Sequence, residues 1–329
     1  MIKKKTIIFI LKALVSISLL TILLINIDWD TVVGNLEKAN LLFLATASLL
    51  NLAERFELTF KWNLLIKARN IFISFGRLFI INAIGSFLGL FLPSSLGTDV
   101  VKGYYLVKNN SEKSVSVSSV FVDRVLGMFS LLTFGVVSVF YAGDLIAKFN
   151  LKFIIVTLFV LAIIFFYIFQ TNWTTKFLKK FSPKNSKLKE IFDNILKLHS
   201  SILEYKNFPG TLLFAFFITL LVQVSRVFTY YVIALSFGIH IPIIYFFLFV
   251  PLIMLVMMIP ISVGGLGVRE GAFVAFFSIA GMPVSDAVMI SFMNSFLDII
   301  NTLLLGGGGY LFYKSPDNKQ IISEKTSEN

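Results

Sequence analysis

The sequence predicts an all-α polytopic membrane protein with six full transmembrane helices and two re-entrant helical hairpins in an inverted repeat. Three observations carry that reading. Of 329 residues, 57% are hydrophobic, 37 of them phenylalanine, whereas a soluble domain is roughly 45–50% apolar. Runs near 7–27, 40–62, 115–141, 153–170, 210–236 and 284–313 are long enough to cross a bilayer, which takes about 20 residues. Two shorter runs, 78–92 and 243–259, each end in a proline followed by small and polar residues.

The elements follow in order. The run 7–27 comes after Lys3-Lys4-Lys5 and is longer than a signal-peptide core. Asn26, Asp28, Trp29 and Asp30 close it without a small-residue cleavage site, so an uncleaved first span with a cytoplasmic N-terminus is expected. The second span carries Glu54, Arg55 and Glu57. Charge then decides what 78–92 does. Lys61, Lys67, Arg69 and Arg77 precede it, and Lys102, Lys108 and Lys113 follow it. Segment 172–208 holds eight lysines against Glu190, Asp193 and Glu204, while loop 28–38 is acidic and loop 142–152 holds only Asp144, Lys148 and Lys152. A full crossing at 78–100 would turn 172–208 outward, against the positive-inside rule. Entry and return of 78–108 from the cytoplasm places every basic cluster inside. The same counting makes 243–282 a hairpin entering from the outer face.

The expected organisation is one integral-membrane domain, 1–313, in the cytoplasmic membrane. Amphipathic helices within 172–208 lie on the cytoplasmic surface, and 314–329 forms a disordered cytoplasmic tail. The net charge of +11 reads as inward-facing loops and contact with anionic lipid rather than with nucleic acid. The absence of cysteine excludes disulfides and thiolate metal sites. Without a P-loop no ATP hydrolysis is expected. His199 and His240 fall near opposite faces, so neither a metal site nor a catalytic triad forms from them. No cofactor and no catalytic residue are assigned, and the chain reads as a transporter rather than an enzyme.

The two broken runs are related. In "FLPSSLGTDVVKGYY" (91–105) and "MIPISVGGLGVREGA" (258–272), Pro93 matches Pro260, Ser95 Ser262, Gly97 Gly264, Val101 Val268 and Lys102 Arg269, all at one offset. Two copies entering from opposite faces form the pattern of broken helices that meet at the midplane around a binding site. Irregular backbone at membrane depth is tolerated only where protein or a watery cavity satisfies it. Proline removes a helix donor, Ser95 or Ser262 is placed to cap the following helix, and glycine allows tight turning. A helix N-terminus favours an anion, and Lys102 and Arg269 add full charges. Asp99 lies in the same element.

Ionisable residues at membrane depth are functional candidates. Arg226 is the foremost phosphate contact, since its guanidinium offers a two-pronged fork. For Asp123 and Arg124 two readings stay open: a mutual pair, or Arg124 facing a headgroup. Asp298 is open to pairing with Arg226 or Arg269 or to carrying a coupling proton, and Glu270 to neutralising Arg269. Glu54, Arg55 and Glu57 form either a portal or an internal ion-pair network. Gly306-Gly307-Gly308-Gly309 is expected to permit close helix packing.

"NAIGSFLGLFLPSSLGTDVVKGYYLVKN", "SVFVDRVLGM" and "PISVGGLGVREGAF" together resemble the signature of the lysylphosphatidylglycerol synthase transmembrane-region family, also called flippase-like proteins. The resemblance covers about 10–312. It implies lipid translocation with two re-entrant helices, and it suggests a glycosyltransferase or other lipid-modifying enzyme as partner. Lipid aminoacylation is not implied, because only a short tail follows Tyr313.

The functional expectation is translocation of an anionic-headgroup lipid, either a phospholipid or a polyprenyl-phosphate-linked sugar. The alternatives are a secondary transporter of a small soluble anion, a membrane-embedded transferase, or an anchor for a glycosyltransferase. Single cysteines test the topology directly in this cysteine-free chain. Asn110→Cys should label with an impermeant maleimide from the cytoplasmic side alone and Gly281→Cys from the outside alone; the reverse at either position overturns the topology.

Overall fold

The computed structural model describes residues 28–92, 97–109, 112–142, 186–258 and 267–313, with isolated positions within 14–25, 153–164 and 262–265. Every regular element among the described residues is helical. Most of the first and fourth expected spans, the segment 172–185 and the tail 314–329 lie outside them.

A short helix, α1 (Trp29–Glu37), stands where the sequence suggested only a loop. It is followed by α2 (Leu41–Lys67), which starts because the Asn40 side chain accepts the Leu42 amide at 3.0 Å. Lys67 sits in its last turn, where a cation suits the helix dipole. A turn with Asn70 at φ 58° then leads to α3 (Phe75–Leu90), and α4 (Gly97–Asn109) packs back on α3. Next come α5 (Lys113–Ala142) and the amphipathic α6 (Ser186–Leu203), which packs on it. After a 3-10 turn, α7 (Pro209–Ser236) opens with proline at its first position, where a missing N–H costs nothing. A second short pair follows, α8 (Ile243–Met257) and α9 (Val268–Phe277), packed on each other. The chain closes with α10 (Val284–Thr302), which continues through a π-helical turn, Leu303–Gly307, into α11 (Gly308–Phe312).

Three of these helices are long and apolar enough to cross a membrane: 113–138 of α5, α7, and α10 with its continuation to 312. The outer face of α7 exposes Leu213, Phe214, Phe217 and Leu221, the surface a lipid-facing helix presents. The protein is a multi-pass membrane protein. Although α2 is 27 residues long, its charges interrupt the apolar run, and those charges turn out to build the site.

The largest core cluster joins α7, α8, α9 and α10. It is aromatic: Phe273 and Phe277 stack at 4.4 Å, Tyr230 stacks on Phe273 at 5.2 Å, and Phe246 meets Phe277 at 4.8 Å. A smaller cluster holds Tyr205 between α2, α5 and α7, and Arg69 lies over the Tyr205 ring while pairing with Glu204.

Glycines set the closest approaches. A Cβ at Gly89 would stand 2.2 Å from the Thr98 hydroxyl, so α4 lies against a bare stretch of α3. At Gly306 a Cβ would stand 2.3 Å from the Ala83 carbonyl oxygen, which brings the π turn onto α3, as expected for the glycine run. The carbonyl is backbone and cannot swing aside. Gly306→Ala should therefore lower the melting temperature of the detergent-solubilised protein, by an overpacking cost of about 1–3 kcal/mol. Gly127→Ala has nothing within 4 Å of the added carbon and should leave that temperature unchanged or raise it.

Candidate functional site

Each short pair is broken at its tip. The chain leaves α8 at Met257, passes the buried Ser262, and turns through Gly265 and Gly267, both left-handed at φ 81° and 78°. Gly267 is the residue that precedes α9, and its N–H donates to Glu270 Oε2 at 2.7 Å. This corrects two expectations. Ser262 does not cap α9. The helix start anticipated as an open anion site is closed by the chain's own carboxylate, which satisfies both an orphan amide and the dipole. At the other tip, α3 ends at Leu90 and α4 starts at Gly97, with Asp99 in its first turn. Pro93, Ser95, Pro260 and Gly264 lie outside the described residues.

Both tips open on one cavity of about 640 Å³. Leu92 and Thr98 reach it from the first break, and Met257, Gly265 and Arg269 from the second. The remaining wall comes from α2, α3 and α10. Its polar side consists of Asn51, Asn82, Ser86, Ser295 and Thr302, and its ionisable groups are Glu54, Arg55, Arg269 and Asp298. Leu90, Phe91, Leu92, Ile299 and Leu303 also line it and are themselves exposed, forming an apolar rim.

The charges in this region are held in pairs. Arg55 Nη2 donates to Asp298 Oδ1 at 2.7 Å, to the Asp298 carbonyl at 3.2 Å and to the Thr302 hydroxyl at 2.5 Å. The Asp298 side chain nevertheless remains 44% exposed, turned toward the open part of the cavity. Arg226 pairs with Glu54 and also donates to Gln223 Oε1 at 3.0 Å. It therefore stands behind Glu54 and does not line the cavity. Of the two readings for Glu54, Arg55 and Glu57, the ion-pair network forms at Glu54 and Arg55 only, while Glu57 joins no ion pair among the described residues and accepts from Ser225.

Arg269 differs from the others. Its Nη1 donates to Ser295 Oγ at 2.6 Å, while its Nε is buried with no hydrogen-bond partner and lies 3.9 Å from Glu270 Oε1. A guanidinium on a cavity wall, only loosely met by Glu270, can donate to an anionic group.

The matching Lys102 goes elsewhere. Its stem lies over Gly85, its ammonium stands 4.6 Å from the Trp62 ring centroid, and its partner is Asp123 at 3.4 Å. Lys61 approaches Asp123 Oδ1 to 2.8 Å and donates to the Asp123 carbonyl at 3.3 Å. All three residues are buried. Arg124 pairs with Asp99, so the mutual Asp123–Arg124 pair does not form. Lys102, Asp123, Arg124 and Asp99 brace α4 against α2 and α5.

Sequence reasoning missed Asn51, Asn82, Ser86, Ser295 and Thr302. The signal was present in α10, where Ser291, Ser295, Asp298 and Thr302 recur every three or four residues in an apolar helix, and such spacing marks one face. Gly85 and Gly89, four apart, likewise marked the face that α4 covers. Removing the shared acid of the Lys61–Asp123–Lys102 triad leaves two buried ammoniums unpaired. Asp123→Asn should cost about 3–5 kcal/mol, read as a loss of folded yield. Lys102→Met leaves the Lys61–Asp123 pair and should cost clearly less.

The chain is 24% identical over 322 residues to a UPF0104 membrane protein of Pyrococcus horikoshii, covering 87% of this chain and 92% of that one. It is 25% identical over 251 residues to a UPF0104 membrane protein of Methanocaldococcus jannaschii, covering 74% of this chain and 99% of that one. No solved structure matches it. Residues 9–306 match the family described as the lysylphosphatidylglycerol synthase transmembrane region, and the chain belongs to that family.

Proposed function

We propose that this protein translocates a lipid with an anionic headgroup across the cytoplasmic membrane, with both termini in the cytoplasm and without catalysing a reaction. In this reading six helices cross the bilayer. The α3–α4 and α8–α9 pairs are re-entrant hairpins of an inverted repeat, entering from opposite faces. The observation that carries it is the single cavity onto which both hairpin tips open, with Arg269 on its wall and apolar side chains at its rim. A phosphate would meet the Arg269 guanidinium where it lines the cavity, together with the hydroxyls beside it, sheltered from hydrocarbon. The chain of the lipid would leave past Phe91, Leu92 and Leu303 and stay among acyl chains. That apolar rim favours a lipid over a small soluble anion, which needs a watery mouth.

The paired groups play a supporting part. Arg55 and Asp298 hold α2 and α10 at a fixed separation, and Glu54 keeps Arg226 at the edge of the site. A lipid-modifying enzyme such as a glycosyltransferase would act as partner by supplying or consuming the lipid.

The test is headgroup-labelled phospholipid and polyprenyl-phosphate probes in liposomes holding the purified protein, with an outside-only quencher. An anionic probe should lose its protected signal faster with the protein than without it. Arg269→Ala, checked for folding by its melting temperature, should slow that loss roughly tenfold to a hundredfold, the value of a hydrogen bond to a charged group. Unchanged movement in Arg269→Ala overturns the site. Uptake of soluble phosphate with no lipid movement overturns the lipid assignment.

A further inference from the structure

Glu57 lies ten residues before Lys67, where α2 ends, about 15 Å along the axis. That is half of a hydrocarbon core of about 30 Å. Its Oε1 accepts the Ser225 hydroxyl of α7 at 2.8 Å, and its Oε2 is buried with no hydrogen-bond partner. Glu57 forms no ion pair among the described residues.

The surrounding charges are otherwise engaged. The groups acting on Glu57 are Glu54 of its own helix and Arg226 of α7, and Arg226 is bonded to Glu54 and Gln223. Of the other helices packed on α2, α5 directs Asp123 to Lys61 and Lys102, and α10 directs Asp298 to Arg55. The one charge of α3, Arg77, lies at that helix's start, away from mid-depth. An ionised carboxylate with an orphan oxygen at this depth is costly, and a proton on that oxygen removes the charge.

We propose that Glu57 is a proton-binding site and that it competes with Glu54 for Arg226. With Glu57 as the neutral acid, Arg226 stays on Glu54, as in this structure. Loss of one proton from the carboxyl to water leaves a carboxylate that draws Arg226 across and frees the Glu54 carboxylate on the cavity wall. The cavity then carries an extra negative charge and repels an anion. Proton uptake and anion binding therefore favour the same state. Only this coupling rests on the translocation reading; the proton site does not.

Dicyclohexylcarbodiimide tests the site without any transport. This apolar reagent adds to protonated carboxyls within membranes and leaves an N-acylurea that peptide mass spectrometry locates. In liposomes of the intact protein, Glu57 should carry the adduct in acidic buffer and lose it as the buffer becomes alkaline, and Glu57→Gln should carry none there. No adduct at Glu57 in any buffer, or one equal in acid and alkali, overturns the proton site. Where labelling succeeds, the lipid assay tests the coupling: wild-type movement of the anionic probe should fall with rising pH, and Glu57→Gln should abolish that dependence. A Glu57→Gln protein that keeps it overturns the coupling. If lipid fails to move under every condition, the translocation reading falls while the labelling result still decides the proton site.

Discussion

Arg55 reaches from α2 across to the Asp298 carboxylate of α10, and the rest of the site depends on that bond. Arg55 is largely buried, so it is held in place by the cost of losing its partner carboxylate. The neighbouring Glu54 turns the opposite way and holds Arg226 of α7. Two consecutive side chains of one helix thus tie it to two different helices. That is why α2 tolerates charges within an apolar run, and why a cavity stands beside it rather than a closed core.

The short helix pairs supply what the ion pairs cannot, two breaks in the backbone that face one cavity. Gly85 and Gly89 let α4 fold against α3, and Gly306 lets the π turn close on the same helix. On the other side, aromatic stacking among Phe246, Phe273 and Phe277 holds α8 and α9 together. The two pairs use different packing, small residues in one and rings in the other, yet both tips reach one cavity. Glu270 satisfies the turn before α9 from within the chain, so that end needs no ligand to be stable.

The sequence made the location of the site legible and left its wiring hidden. Prolines, glycines and a matched cation marked both breaks, and these breaks do meet at the cavity. A cation at a matching position, however, does not fix where its side chain goes. Lys102 follows a bare glycine face to Asp123, whereas Arg269 turns to Ser295 and the cavity. Asp123 and Arg124 are adjacent in sequence, and adjacent helical residues point to different neighbours; their partners, Lys61, Lys102 and Asp99, come from elements remote in sequence. Such long-range pairing has no local signature. The polar stripe of α10 did have one, in its three- and four-residue spacing, and marked the wall facing α2.

The ionisable lining of the cavity, Glu54, Arg55, Arg269 and Asp298, sums to zero. A site whose fixed charges cancel does not cancel the charge of its occupant. If the protein translocates an anionic lipid as proposed, the membrane voltage acts on the cargo itself, with about 2.3 kcal/mol per elementary charge per 100 mV. With the cell interior negative, a bare anionic headgroup is driven outward. One proton travelling with a monoanion makes the passage electrically silent. In that reading the four balanced side chains leave the choice between voltage and proton gradient to the charge of the cargo and to any proton that travels with it.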